Sequence, residues 1–123
     1  MGKKYRILIA DDEEDIKTVM SMVLESEGYE ILTAYDGLDA LDKAQNELPD
    51  LILLDIMMPM FDGIEVCKKL KSDWKTKDIP IIMVSAAAED VSMKKAKEAG
   101  ADDYIIKPFE PEVLLQKVKK YLK

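Results

Sequence analysis

The side chains best suited to chemistry in this chain are carboxylates placed at the ends of apolar runs. Tyr5 to Ala10 (YRILIA) stops at Asp11-Asp12-Glu13-Glu14-Asp15, and Leu51-Ile52-Leu53-Leu54 stops at Asp55. An ionised aspartate at the end of a dry strand costs several kcal/mol unless it is hydrated, paired or bound to a cation. Taken alone, Asp55 is accounted for equally well by a wet strand end or by a site. Two further apolar runs end in polar groups of other kinds, at Ser85 and at Lys107. If these ends meet, three carboxylates repel one another and raise each other's pKa unless a cation is present. A hard divalent ion with oxygen ligands answers that need, and Mg²⁺ fits best because it accepts one or two carboxylates together with phosphate oxygens. Lys107 would bring positive charge to an incoming dianion, and Ser85 a neutral donor. Carboxylate nucleophile, metal, ammonium and hydroxyl together make a phosphoryl-transfer site.

Whether the ends meet depends on the elements that carry them. Leu51 to Leu54 is apolar throughout and bounded by Pro49-Asp50 and Pro59, as expected of a strand buried on both faces of a parallel sheet. Tyr5 to Ala10, Glu30 to Ala34, Ile79 to Val84 and Asp103 to Ile106 read as four more strands. Between them the spacing predicts five helices. Ile16, Val19, Met20, Val23 and Leu24 mark the first, ending at Gly28; Leu38, Leu41, Ala44 and Leu48 form the inward stripe of the second, closed by Pro49. Asp62-Gly63 opens the third through Val66 and Leu70, and Lys71 to Asp78 is a polar loop. Ala88 to Ala99 is the fourth, with a thin apolar face of Val91, Ala96 and Ala99. Glu110-Pro111 starts the fifth, with Val113, Leu114, Leu115, Val118, Tyr121 and Leu122 available for its inner face. Strict alternation of five strands with five helices predicts an α/β fold with a parallel sheet covered on both faces and right-handed crossovers. Asp11, Asp12, Asp55, Ser85 and Lys107 then share one rim. Ligands of such sheets bind at that rim where the winding reverses. If the reversal separates strands one and three, the Asp11/Asp12 pair lies beside Asp55.

Composition narrows the function classes. A length of 123 residues suits one domain, 1–123, with a single substantial core. The formal net charge of −7 disfavours direct nucleic-acid binding and favours cationic or metal partners. The charge is unevenly spread: residues 1–62 carry 15 acids against 5 bases, and residues 63–123 carry 10 acids against 13 bases. With no histidine, zinc-hydrolase, Ser/His and Cys/His chemistry are excluded. Cys67 is the only cysteine, so no internal disulfide is possible; with no signal-peptide pattern and no membrane-length apolar run, a cytoplasmic setting away from membranes is expected. No GxGxxG or phosphate-binding glycine loop is present, and Asp11 to Asp15 lacks the glycine and closing glutamate of a calcium loop.

The sequence resembles a receiver domain of two-component response regulators, most of all the single-domain chemotaxis type, from Ile7 to Leu122. The likeness lies in ILIADDEED, LILLDIMMPMFDG, PIIMVSA and GADDYIIKPF, in that order and spacing. The resemblance implies a flavodoxin-like (βα)5 doubly wound sheet with strand order 2-1-3-4-5. It implies that Asp55 accepts a phosphoryl group from the phosphohistidine of a sensor histidine kinase or phosphotransfer protein. Asp12, Asp55 and the backbone carbonyl of Met57 would bind Mg²⁺ directly, and Asp11 through a water. Lys107 would pair with phosphoryl oxygens, and its bond to Pro108 would be cis. Ser85 and Tyr104 match the switch pair, the hydroxyl moving toward the new oxygens and the aromatic turning into the space it leaves. The chain would be a switch and not an enzyme acting on a separate substrate.

The thin apolar face of the fourth helix makes it the loosest element, and with strand five and helix five it forms the expected output face for a downstream protein. Lys94, Lys95, Lys97, Lys117, Lys119 and Lys120 make that part basic, which a merely solvated surface would also explain. A monomer, or a dimer formed on phosphorylation, fits this picture. Because the sequence ends with the fifth helix, signalling by contact with another protein is expected, the alternatives being a receiver portion of a longer DNA-binding regulator or a scaffold that works without phosphorylation. An aspartate-nucleophile phosphatase would place a second aspartate two residues after Asp55, where Met57 stands. A flavin module would need a Ser/Thr/Gly-rich loop where ADDEED stands. Met57 and Ala87, two residues after the acceptor and the switch hydroxyl, cannot hydrogen-bond a hydrolytic water well, so a long-lived phosphorylated state is expected. Met57, Met58 and Met60 read as gap-filling around a turn, Cys67 as half-buried packing, and Trp74 as a cover for a helix end. Asp36, Asp39, Asp42, Asp102 and Asp103 read as helix starts or solvated surface.

Overall fold

Branched apolar residues at successive positions favour extended chain, and the computed structural model places them in five parallel strands. It describes residues 4–86 and 90–122, with 90–92 by backbone alone. The elements are β1 (Arg6–Ala10), α1 (Glu14–Glu25), β2 (Glu30–Ala34), α2 (Gly37–Glu47), β3 (Leu51–Leu54), α3 (Gly63–Lys71), β4 (Ile81–Ser85), α4 (Asp90–Glu98), β5 (Asp103–Ile106) and α5 (Pro111–Tyr121). The sheet runs β2-β1-β3-β4-β5, all pairs parallel. The order and the doubly wound flavodoxin-like architecture are those the resemblance implied, with the reversal between β1 and β3.

Two apolar layers sandwich the sheet. Leu8, Ile52, Leu54, Ile81 and Met83 pack with Ala40, Ala44, Val66, Leu70 and Ala96 on the α2, α3 and α4 side. Ile7, Ile9, Leu51, Leu53, Ile82 and Val84 face Met20, Leu24, Leu114 and Val118 on the α1 and α5 side. Because alternate residues of each strand serve opposite layers, β3 and β4 have no polar side before Ser85. Each buried Leu or Ile contributes about 1.5–3 kcal/mol.

Several expectations are corrected. In α2 the buried stripe is Gly37, Ala40, Leu41 and Ala44, while Leu38 and Leu48 are exposed. Leu38 lies in the first turn beside the stripe. Leu48 is the left-handed cap, φ 47°, where the chain leaves the helix axis. Val19 is likewise exposed, because α1 buries Lys17, Met20 and Leu24, and one step along a helix turns a side chain by about 100°. Val113 is exposed for the same reason beside buried Leu114 and Val118. β4 begins at Ile81, since the Ile79 amide is taken by Thr76 and Pro80 has no N–H to give. Trp74 lies largely outside, 79% exposed, and not folded down as a cover. Cys67 is fully buried and not half-buried, and burial pushes its thiol up to about 11. Neither Asp102 nor Asp103 starts a helix; Asp102 is at the surface as expected and Asp103 is half-buried, and both hold partners. Asp102 Oδ2 accepts from the Ile81 amide at 2.8 Å and from Lys71 at 3.0 Å. Asp103 accepts from Lys117 at 2.6 Å and Tyr121 at 3.1 Å. Asp36 does start a helix, accepting from the Asp39 amide at 2.8 Å. Ala96 on α4 and Ala99 just after its end are buried as expected, while the Val91 side chain and Ala88 lie outside the described residues.

Candidate functional site

The rim is built by ladder hydrogen bonds that continue one residue past each strand. Asp11 N–H donates to the Ala34 carbonyl at 3.1 Å, Asp55 N–H to Ala10 at 2.9 Å and Lys107 N–H to Ser85 at 3.0 Å. Backbone pairing, not side-chain attraction, therefore sets Asp11 beside Asp55 and Lys107 beside Ser85. The loop after β3 is clamped from two sides. Gly63 N–H donates to the Ile56 carbonyl at 2.8 Å and Gly37 N–H to Pro59 at 3.1 Å. Asp62 caps α3 by accepting from the Glu65 amide at 2.9 Å. Met60 takes φ 71° in this loop.

Oxygens of Asp11, Asp12 and Asp55 lie within 4.8 Å of one another. Asp11, Asp55 and Ser85 are buried, whereas Asp12 is exposed. The Lys107 ammonium reaches Asp11 Oδ2 at 2.7 Å, Glu13 Oε1 at 3.3 Å and Asp55 Oδ2 at 3.4 Å. Asp11 Oδ1 accepts from the Glu13 amide at 2.9 Å, and Asp55 Oδ1 from the Met57 amide at 3.2 Å. A cavity of about 230 Å³ opens here, lined by Asp12, Glu13, Asp55, Met57, Ser85, Ala86 and Lys107.

The electrostatics follow from that packing. Burial, reinforced by the charge of Asp11, pushes the Asp55 carboxyl up to about 6 against the opposing pull of Lys107 and the Met57 amide. Burial works against the Lys107 charge, but the hydrogen bond to Asp11 and the charges of Asp55 and Asp11 hold its pKa above the usual lysine value. Tyr104, half-buried beside Ser85, has its phenol raised by burial, with its hydrogen bond to Ser85 opposing. The grouped oxygens of Asp11, Asp12 and Asp55, with the Lys107 ammonium beside them, form an all-oxygen donor set. Mg²⁺ fits it by charge and by ligand hardness.

Of the site residues expected from sequence, Asp11, Asp12, Asp55, Ser85 and Lys107 come to one rim, with Tyr104 at its flank and the Lys107–Pro108 bond cis. Met57 lines the cavity with 69% of its surface exposed, and Ala87 lies outside the described residues. Sequence reasoning assigned Glu13 only to the helix dipole and missed its bond to Lys107. The one available signal was its position directly after the Asp11/Asp12 pair.

The family model for the response regulator receiver domain matches residues 7–119. The chain belongs to the response regulator receiver family. As a receiver domain it is a signalling module of two-component systems with an acidic metal-binding site. It is 47% identical over its whole length to the alkaline phosphatase synthesis transcriptional regulatory protein PhoP of Bacillus subtilis (strain 168), matching 50% of that protein. It thus spans about half the length of this curated relative. Among solved structures it is similar to the chemotaxis response regulator CheY4 of Vibrio cholerae, at TM-score 0.92 and 34% identity, covering 98% of this chain and 100% of that one. A CheY-like receiver domain protein from Methanospirillum hungatei JF-1 superposes at TM-score 0.90 and 36% identity over 96% of this chain and 93% of that one. Among the described residues, no helix of the receiver domain is long and apolar enough to cross a membrane.

Proposed function

We propose that this receiver domain is a phosphorylation-activated switch whose acceptor is Asp55. The observation that carries the reading is the Lys107 ammonium 3.4 Å from the Asp55 carboxylate, with oxygens of Asp11 and Asp12 within 4.8 Å. In the step, an Asp55 carboxylate oxygen attacks the phosphorus of a phosphohistidine on a sensor histidine kinase or phosphotransfer protein. The P–N bond breaks with its electron pair left on the histidine nitrogen, which takes a proton from solvent as neutral imidazole departs, and an acyl phosphate remains on Asp55. Bound Mg²⁺ supplies charge neutralisation for the phosphoryl oxygens. Asp12, Asp55 and the Met57 carbonyl would hold it directly, and Asp11 through a water. Both Asp11 oxygens are already engaged, whereas Asp12 is exposed, which favours this division of labour. Lys107 binds a phosphoryl oxygen and keeps the product's charge paired in a buried setting. Ser85 then turns toward the phosphoryl group, Tyr104 follows, and the face made by α4, β5 and α5 becomes the surface read by a downstream protein.

The reading is tested by incubation with acetyl phosphate and Mg²⁺ followed by intact mass and peptide mapping. One phosphoryl group on Asp55, and none in Asp55→Asn, is the expected result. No uptake by the wild type would leave a phosphorylation-independent scaffold. The phosphorylated state is long-lived in this reading, so the double variant Met57→Asn/Ala87→Glu loses its phosphoryl group faster by about an order of magnitude, equivalent to ~1.4 kcal/mol of barrier. Decay of the labelled protein after removal of donor measures it, and equal half-lives would end the claim.

The chain's match to only 50% of the Bacillus relative favours a second reading of the signal's destination. Here the receiver would be the front portion of a longer DNA-binding regulator, and the α4, β5 and α5 face would act on a domain beyond residue 123. Detection of the native protein by immunoblot separates the two readings by size.

A further inference from the structure

Lys107 has as many close acceptors as it has protons. An ammonium carries three N–H donors and no acceptor, and three carboxylates surround it at 2.7, 3.3 and 3.4 Å. A phosphoryl oxygen can therefore be bonded only if one partner is released. Asp11 is the shortest and most buried of the three, and its other oxygen is tied to the Glu13 amide. Asp55 is the group being modified. Glu13 remains, the outer partner, with 62% of its side chain exposed.

A second observation concerns what Glu13 fails to do. It occupies the N-cap of α1 in extended conformation, φ −92° and ψ 111°, and makes no side-chain capping bond. Ser, Thr, Asp and Asn are the side chains that ordinarily cap that position, and the longer glutamate is not held there. This carboxylate is instead turned across the cavity mouth to Lys107, next to the acceptor cavity it helps to line.

We infer that Glu13 is a positioning residue: it holds Lys107 in the unphosphorylated state and is exchanged for a phosphoryl oxygen when Asp55 is modified. This deepens the proposed function and rests on Asp55 being the acceptor. The exchange has two consequences. Lys107 is kept oriented before the donor arrives, and phosphoryl binding must break the Glu13 contact, which lowers affinity for the phosphoryl group and slows uptake. Glu13 thereby sets how readily the domain is switched by small donors.

The test compares wild type, Glu13→Gln, Glu13→Asp and Asp55→Asn in Mg²⁺. Beryllofluoride affinity is followed by fluorine NMR, and uptake from acetyl phosphate by intact mass. Glu13→Gln is expected to bind beryllofluoride more tightly and to take up phosphoryl about three- to tenfold faster, the scale of one unit charge ~6 Å away in a half-exposed site. Glu13→Asp keeps the charge but lacks the reach to Lys107, so it is expected to shift both readouts in the same direction. Unchanged affinity and rate in Glu13→Gln would overturn the inference. So would a Glu13→Asp variant indistinguishable from wild type, since the charge at the mouth would then act without Lys107. Absence of phosphoryl uptake on Asp55 in the wild type would overturn the proposed function and this exchange with it, an outcome distinct from either of the others.

Discussion

Gly63→Ala is expected to destabilise the domain by about 3 kcal/mol, the upper part of the range for overpacking a rigid site. A Cβ at residue 63 would lie 2.1 Å from the Asp55 carbonyl oxygen and 2.8 Å from the Ile56 Cα, both backbone atoms with no rotamer to yield. Relief requires moving either the first turn of α3 or the chain that carries the acceptor. Gly63 N–H donates to Ile56 at 2.8 Å, so either movement also breaks that bond. Urea unfolding followed by circular dichroism measures the loss, and phosphoryl uptake on Asp55 should fall with it. Gly28→Ala is the comparison. It has open space around its Cβ but φ +92°, so only backbone strain of about 1 kcal/mol is expected. Equal stabilities for the two alanine variants would mean that the close approach at Gly63 is not a constraint.

Asp55→Asn is expected to make the metal-free domain more stable at pH 7, by about 1–3 kcal/mol. The native Asp55 carboxyl titrates near 6, raised by burial and then by Asp11, whereas in an unfolded chain it titrates near ~3.9. The folded protein thus holds this proton more tightly than the unfolded chain does. Stabilisation from the neutral carboxyl is complete below about pH 4 and is lost as the pH rises through about 6. Asparagine cannot ionise and removes that part of the profile. Urea midpoints for both proteins across this window, without metal, provide the measurement. Parallel curves for wild type and Asp55→Asn would show that the ionised carboxylate carries no such cost. Added Mg²⁺ should stabilise the wild type more than the variant, because only the wild type offers the charge.

Much of this arrangement is legible in the sequence because parallel strands translate order into position. A run such as LILLD has no polar side, so it must be central, and its last residue must arrive at the rim. The same logic places Ala10-Asp11 and Ser85. Side-chain destinations are less legible wherever a partner comes from a distant segment. Asp102 and Asp103 look like surface residues, yet one completes the pairing of β4 and the other seats α5 through Lys117 and Tyr121. Lys17, buried on α1, is paired with Glu14 at 2.9 Å, whereas periodicity assigns a lysine to the outside. Glu13 is the instructive case: a helix-start acid by local rules becomes a holder of Lys107 across 94 residues of sequence. Trp74 shows the converse, since hydrophobicity alone points inward while the turn around it, fixed by Asp73 and Thr76, leaves the ring outside.

The attachment of β5 at its foot has a mechanical consequence. Ile81 spends both backbone groups on Asp102, its amide on the side-chain oxygen and its carbonyl on the Asp102 amide, each at 2.8 Å. Lys71 grips the same carboxylate and the carbonyl of Ile79. An edge strand riveted at one end cannot slide along its neighbour. Force applied at Lys107 is met first by its own ladder bond to Ser85 and then by that fixed foot, and Tyr104 lies between the two.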